Sequence, residues 1–574
     1  MPTDTRSVDD LLQAGLDARA EGEVVVAEEC FRKAMERAPR DFRAPQFLGA
    51  LLVERDDIKD GVEILEGAVD LAGPLSTSNC GVYNNFANAL RLAERHEESE
   101  ALLLQIVEIA PGEWQHWHNL AHLLKDMGRH DEAVAPIRRA IALAPGHGPN
   151  HAVLGSILFN LGRLNSAAAA FRRCIDLGWN EDVNVWTQLG GTYRLLGDIH
   201  AAVDALQEAF DRSGGAASTH SNLGITMNQL GRFDDAGEHF RAAIRIQPDE
   251  PSWRTNYGYH QLTAGDIPEG WVNWEYGLDD GPRGNERPID VPRWTPDDNA
   301  VRVLCYREQG VGDEILFASC LPDFQTRVQE AIYEADKRIV PLFARSFPGM
   351  EVREPSWDRE FGQRMHDFDR AIPVGSLPMH LRPTVADFPE RQSFLVPDPD
   401  LVTQWRATIA EIANGNAVVG MSWRSRIKTA ERRLEYTHLD EWADLFSIPG
   451  VTWLNLQYDD CFRELDAAER EFGVKIHRWP AVDYMNDFDT VAAIMAACDL
   501  VVAPRNAVAM LSGALGRPTV MMGNRWDWSD LGTDRCPWLP TIDLVYRHVG
   551  EDWDQVLATA AEKVRAVASR KGNS

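Results

Sequence analysis

The sequence predicts a helical solenoid followed by an α/β part made of two doubly wound lobes. Three observations carry this. A turn recurs as Gly128-Arg129, Gly162-Arg163, Gly197-Asp198, Gly231-Arg232 and Gly265-Asp266, in steps of 34, 35, 34 and 34 residues. The period then stops, and from about residue 300 short apolar runs alternate with helical patterns. Between the two, residues 281–299 (GPRGNERPIDVPRWTPDDN) are rich in Gly, Pro and charge and have no period. That stretch reads as a linker, with PRW (292–294) packing back on a domain.

The solenoid takes residues 7–280. Its clearest repeat is EWQHWHNLAHLLKDMGRHDEAVAPIRRAIALAPG (113–146). Trp117, Leu120, Ala121 and Leu124 recur at helical spacing, as do Ala133, Ile137, Ala140 and Leu143. Pro145 closes the second helix, and Pro39, Pro111 and Pro248 stand at matching ends. A hairpin of helices at this pitch marks a tetratricopeptide repeat, in which no helix pair buries its apolar face alone. Seven repeats begin near residues 7, 41, 79, 113, 147, 181 and 216. PSWRTNYGYHQLTAGDIPEGWVNWEYGL is a modified eighth. The second and third repeats are irregular at Asp56-Asp57 and Glu94-Arg95.

One slot in the first helix of the repeat holds an asparagine in four repeats, with Val153 and Gln188 in the two between. Asn85, Asn119, Asn222 and Asn256 each stand two residues before a small residue. The concave face of such a solenoid is lined by these helices. An amide there offers donor and acceptor to an extended peptide backbone; a solvated surface Asn is the other reading. Trp117, Trp186, Tyr193 and Tyr257 read as packing residues.

The α/β part divides near PDPDLVTQW (397–405) into lobes at 300–400 and 401–574. VRVLCY (301–306) reads as a buried strand, followed by the turn REQGVGDEI and a helix. EAIYEAD, RIVPLFARSF and MEVRE read as β-α-β. AVVGMSW (417–423), VTWLNLQY (451–458), DLVVAP (499–504) and PTVMMG (518–523) read as strands. DTVAAIMAAC (489–498) and AVAMLSGALG (507–516) are helical, as is the terminal DWDQVLATAAEKVRAVAS. Two such groups suggest lobes facing a cleft. GVGD is neither GxGxxG nor a Walker loop, which excludes nicotinamide and ATP readings.

Composition bounds the rest. At 574 residues the chain exceeds one hydrophobic core, so two or three domains are expected. The net charge of −30 argues against nucleic acid and anionic membranes, which need a basic footprint. A phosphate-bearing ligand needs a local basic pocket here. The eight cysteines are scattered with no CxxC pair and read as reduced thiols without zinc or disulfides. MPTDTRSVDD lacks a secretory signal pattern, and no apolar run approaches membrane-spanning length. A cytoplasmic protein with no membrane insertion is expected.

The strand at 301–306, then REQGVGDEILFASCLPDF, then VVGMSWRS, then the helix ending LSGALGRPT resemble the GT-B glycosyltransferases of the bacterial heptosyltransferase type. With repeats ahead of it, the chain is similar to bacterial protein glycosyltransferases. It looks most like the flagellin O-glycosyltransferases that join such repeats to a transferase for sialic-acid-like sugars. Its general plan is similar to that of the O-GlcNAc transferases linked to such repeats. The resemblance implies a metal-independent enzyme with no cofactor. It would move a sugar from a nucleotide-sugar, a CMP-linked one among the candidates, to Ser or Thr of an acceptor protein such as flagellin. Two other readings stay open: transfer to a cell-surface glycan, and a non-catalytic scaffold or secretion escort with a vestigial transferase domain.

The resemblance also implies site residues. Asp313 matches the family's proposed general base, which would take a proton from the acceptor hydroxyl; it equally suits a helix N-cap. Glu308 and Glu314 are alternatives. Gly310 and Gly312 bring backbone to the donor. Ser422 and Arg424, with Arg426 and Lys428 beyond, end a strand where basic groups can meet a nucleotide phosphate. Arg505, Asn506 and Ala507 form the turn that cradles the donor on helical N–H groups. The family has Asp or Thr where Arg505 and Asn506 stand and His where Met510 stands, which suggests a different donor or lost activity. Trp526, Trp528 and Trp538 could wall the sugar or base. Asp487-Phe488-Asp489 has a DxD outline but reads as a helix start rather than a metal site.

Overall fold

The computed structural model describes residues 6–280, 283, 289, 291–298, 301–355, 367–426 and 435–572. The chain forms two compact units, Met1–Thr192 and Tyr193–Ser574.

The first unit is built of helix pairs: Val8–Ala20 with Val24–Arg37, Arg43–Glu54 with Ile58–Ala72, Cys80–Leu92 with His96–Ile109, Trp114–Asp126 with His130–Leu143, and Gly148–Asn160 with Leu164–Asp176. In two of these pairs a glycine of the first helix lets an aromatic ring of the second approach. A Cβ on Gly155 would come within 2.6 Å of Phe171, and one on Gly15 within 2.5 Å of Phe31. Leu120, Ala121 and Leu124 pack with Ala133, Ile137 and Ala140, all buried, so the helical periodicity marks the core face.

The two irregular repeats keep the turn of the others. Gly128 and Gly162 have φ of 73° and 69°, and Asp56 and Glu94 take 69° and 59° at the same place. A left-handed backbone costs a residue with a Cβ roughly 1–2 kcal/mol. Glycine returns part of that through the entropy of the open chain. Glu94→Gly is therefore expected to stabilise the first unit by about 0.5–1 kcal/mol. A urea midpoint that rises checks it; one that falls refutes it.

The second unit begins inside the Val183–Leu195 helix. It continues with Ile199–Ser213, the pair Ala217–Gln229 and Phe233–Ile246, and the pair Pro251–Ala264 and Ile267–Trp274. Two parallel sheets follow. The first holds β1 (Arg302–Tyr306), β2 (Glu330–Glu334), β3 (Met350–Arg353) and β4 (Arg370–Pro373) in the order β3-β2-β1-β4. The second holds β5 (Ala417–Met421), β6 (Val451–Asn455), β7 (Ile476–His477), β8 (Leu500–Pro504), β9 (Thr519–Asn524) and β10 (Ile542–Arg547) in the order β10-β9-β8-β5-β6-β7. In register, Leu304 faces Ile332 and Ala371, and Gly420 faces Leu454 and Val501. Every residue of β5 and β8 is buried. Continuous apolar runs are what a parallel sheet covered on both faces requires.

The strand order reverses beside β1 in the first sheet and beside β5 in the second. Loops leaving the carboxyl ends of neighbouring strands diverge at such points and leave room for a ligand.

The compact division falls at residue 192 rather than at the sequence boundary of 280. Three glycine turns account for it. A Cβ on Gly550 would lie 2.8 Å from Gly197 O, one on Gly231 2.9 Å from Trp526 Nε1, and one on Gly532 2.8 Å from Gly265 Cα. The turns of the last three hairpins are thus seated on loops of the α/β part. The stretch read as a linker is anchored where it is described. Trp294 is buried, its N–H donates to Ala371 O at 3.0 Å, and its ring meets Phe324 and His380. No helix among the described residues is long and apolar enough to cross a membrane.

Candidate functional site

A cavity of about 580 Å³ opens in the second unit, lined by the segments that follow β1, β5, β8 and β9. Gly310, Gly312, Asp313, Arg505, Asn506 and Ala507 all line it. The structure therefore gathers these expected residues from both sheets into one place.

The first wall is the turn after β1. Gln309 takes a φ of 59°, which swings the chain so that Gly310 becomes the N-cap of the Val311–Ala318 helix. Asp313 is the third residue of that helix, so its expected N-cap role belongs instead to Gly310. A carboxylate in the first turn favours the positive end of the helix. The Val311–Ala318 helix packs on the Ala507–Ala514 helix. A Cβ on Gly312 would sit 3.4 Å from Ala507 N, so the two helix starts meet at the cavity.

Neither alternative carboxylate lines this cavity. Glu308 receives both Nε and Nη2 of Arg283, each at 2.9 Å, and the N–H of Gly375 at 2.6 Å. Glu314 is buried, with Tyr333 Oη donating at 3.2 Å and Asp336 N–H at 3.0 Å. Burial pushes its pKa up to about 7 against the pull of Arg307.

The sign of that shift can be tested. A carboxyl whose folded pKa lies above its open-chain value of 4.5 holds its proton longer when folded. Its contribution to stability is fully present below about pH 4.5 and is lost as pH rises through about 7. Glu314→Gln keeps the acceptor for Tyr333 and is expected to flatten the stability profile across that window. Chemical denaturation at several pH values checks it; an unchanged slope refutes it. Asp530, which burial raises to about 6, leaves a residual slope of the same sign.

The second wall comes from the β5 and β8 turns. Asn506 caps the Ala507–Ala514 helix: its Oδ1 accepts from Val508 N–H at 3.0 Å and Ala509 N–H at 3.2 Å. Its Nδ2 donates to Ser422 Oγ at 3.0 Å and to Arg424 O at 3.2 Å. Asn506 and Ser422 thus tie the β8 turn to the β5 turn. Arg424 is a correction to the sequence reading. Its side chain is buried between carboxylates, with Nη2 donating to Glu464 at 2.6 Å, Nε to Glu464 at 3.2 Å, and Nη1 to Asp459. It does not line the cavity, whereas Ser425 and Arg426 do. Lys428 lies outside the described residues.

Arg505 reaches the cavity but is already engaged. It donates to Ser529 Oγ at 2.7 Å and to Asp530 at 3.0 Å, and stands 3.4 Å from Asp527. Burial opposes its charge, and Asp527 and Asp530 outweigh that, so its pKa stands above the usual value.

Trp526 is the second correction. Its ring packs edge-on to Phe233 at 4.9 Å and lies against Gly231, so it serves the seat of a helical hairpin. Trp528, two residues on, lines the cavity. Trp538 is buried behind it.

Arg338, Tyr458 and Tyr484 also line the cavity and were not singled out from sequence. Arg338 follows β2 and Tyr458 follows β6. Carboxyl-end position was the available signal for both. Arg338 pairs with Asp336 at 2.8 and 2.9 Å and lies over Phe488. Three arginines (338, 426 and 505) and three carboxylates (313, 435 and 527) therefore line a space with aromatic walls. Such a set suits a phosphate-bearing ligand with a planar base. Among the described residues no group of three or more His, Cys, Asp and Glu stands ready to hold a metal.

The amide slot of the solenoid has an internal use. Asn119 Nδ2 donates to Asn84 Oδ1 of the preceding repeat at 3.0 Å, and Asn256 Nδ2 to Ser221 Oγ at 3.1 Å. Asn222 Nδ2 donates to Ser218 O within its own helix at 3.0 Å. Asn85 is half-buried. Two of the four amides thus stitch successive hairpins together.

Comparison with known proteins gives the following. A family model described as tetratricopeptide repeat matches residues 118–182 and 189–251. A curated protein of Caulobacter vibrioides, "Protein FlbA", is 30% identical over 429 residues, 68% of this chain and 69% of that protein. Among solved structures, the APC/C hetero-tetramer Cut9–Hcn1 superposes with a TM-score of 0.40 at 17% identity, covering 47% of this chain and 52% of that one. A tetratricopeptide repeat protein from Parabacteroides merdae gives 0.35 at 14% identity, covering 44% and 97%.

Proposed function

We propose that this chain, which belongs to the same family as Protein FlbA of Caulobacter vibrioides, is a protein O-glycosyltransferase of the GT-B type. The repeats hold an acceptor protein, and the α/β part moves a sugar from a nucleotide-sugar donor to a Ser or Thr hydroxyl. The observation that carries this reading is the cavity where the Gly310–Asp313 turn of one sheet meets the Arg505–Ala507 turn of the other. A carboxylate stands there beside two helix starts and three arginines. Asp313 takes the acceptor proton as the oxygen attacks the anomeric carbon. The Ala507–Ala514 helix start and Arg426 stabilise the departing nucleotide. Flagellin as acceptor and a sialic-acid-like donor rest on the family resemblance. The half-buried Asn85, Asn119, Asn222 and Asn256 are the proposed contacts to the acceptor backbone.

The test is the intact mass of flagellin from cells with and without the gene. Discrete increments present only with the gene, and lost in a strain carrying Asp313→Asn, are expected. An unchanged flagellin mass removes that acceptor. Failure of the purified chain to transfer from any CMP- or diphosphate-linked sugar to a protein removes the enzyme.

A further inference from the structure

The last helical hairpin reaches the cavity from behind at two points. Arg283, just beyond it, is fully buried and grips Glu308 with two nitrogens at 2.9 Å each. It also donates to Trp274 O at 3.1 Å and to Ser376 Oγ at 2.9 Å, and lies over the Trp274 ring. Glu308 stands two residues before Gly310, at the root of the turn that carries Asp313. Gly375 approaches so closely that a Cβ there would fall 2.1 Å from Glu308 Oε1. The second point is aromatic. Trp274, from the hairpin itself, is buried, its Nε1 donates to Gly375 O at 3.0 Å, and its ring lies 4.9 Å from that of Trp528, which lines the cavity.

We propose that Arg283 and Trp274 are positioning residues for the cavity: Arg283 fixes the Glu308–Asp313 turn through Glu308, and Trp274 fixes the Trp528 wall. The final repeat is then a working part of the α/β site and not only a holder of protein. A buried bidentate pair is stiff because loosening either end leaves a charge without a partner. The backbone between Glu308 and Asp313 contains a left-handed Gln309, a conformation that persists where its surroundings over-determine it. The effect on transfer rests on the glycosyltransferase reading; the effect on the turn does not.

The test uses the full chain with the double variant Arg283→Met/Glu308→Gln, which removes both charges of the pair and leaves Glu275, the other carboxylate on Arg283, paired with Arg293, and separately Trp274→Leu. Amide hydrogen exchange over residues 307–318 reads the turn directly. Exchange there is expected to quicken about tenfold or more in the double variant, with far-ultraviolet dichroism unchanged. In transfer assays the double variant is expected to lose about tenfold or more in kcat with donor KM held. Trp274→Leu is expected to raise donor KM by a similar factor with kcat held. Arg283→Lys, which keeps charge but not the fork, is expected to fall between the wild type and the double variant. Unchanged exchange at 307–318 overturns the positioning role whether or not the chain transfers sugar. A wild type that transfers nothing while the variant's turn loosens leaves the positioning role standing and removes only the enzyme.

Discussion

Asp313→Asn is expected to cut transfer to the proposed acceptor hydroxyl by about a hundredfold or more and to leave nucleotide affinity within a few-fold of the wild type. General-base catalysis contributes roughly 10²–10⁴ in rate, and an amide of the same shape cannot take the proton. The substitution is mild for the fold. Position 313 is the third residue of a half-buried helix start with Gly310 at its N-cap, so the loss of a favourable charge there costs about 0.3–1 kcal/mol. Two readouts check this: initial rates, and calorimetric titration with the free nucleotide. A rate within twofold of the wild type would take the base role from Asp313. With Glu308 bound to Arg283 and Glu314 turned to Tyr333, Glu435 and Asp527, the other carboxylates on the cavity among the described residues, would be the next candidates for the base.

The helical part was legible because its signal repeats. Five glycine turns in steps of 34 or 35 residues outvote the irregular ones at Asp56 and Glu94. The backbone demands a left-handed residue there, and two side chains comply at a cost that a residue-type pattern does not reveal. Strands buried on both faces were legible as apolar runs: VRVLCY, AVVGM, LVVAP and TVMMG all form strands. Those missed had other characters. β7 has two residues, β4 is the short RAIP, and β10 is an incompletely buried edge strand, with IDLVYR buried at Ile542, Val545 and Arg547. Position along the chain was legible for the site, because turns after parallel strands face one side of the sheet. Side-chain direction was not. Ser425 and Arg426 face the cavity while Arg424, adjacent to them, turns away to Asp459 and Glu464, residues brought near only by β6 and the helix after it. A basic residue after a strand cannot be assigned to a phosphate or to an internal carboxylate until the fold supplies the partner. Trp526 and Trp528 differ for the same reason: Gly231 leaves room for one ring and Trp274 packs against the other.

Arg424→Ala is expected to destabilise the second unit by about 3 kcal/mol, because it strands Asp459 in the interior without its counter-charge. The Arg424 side chain is 7% exposed and that of Asp459 11%. Glu464, at 42%, keeps water and contributes little to the cost. The loss spreads to the cavity by a known route. Arg424 O accepts from Asn506 Nδ2, the same side chain whose Oδ1 caps the Ala507–Ala514 helix. Weak transfer by this variant would therefore resemble loss of a phosphate contact without being one. Combining Arg424→Met with Asp459→Asn separates the two. If the guanidinium serves the fold, the pair of neutral side chains recovers most of the stability and the donor KM returns near the wild-type value. If it serves the phosphate, stability recovers and KM stays high. Arg426→Ala is the control from the neighbouring position. Its side chain is exposed on the cavity, so it should raise donor KM about tenfold with no change in Tm, as one lost charge-assisted contact predicts. A KM that follows Arg424 and ignores Arg426 would reverse the assignment of the two side chains.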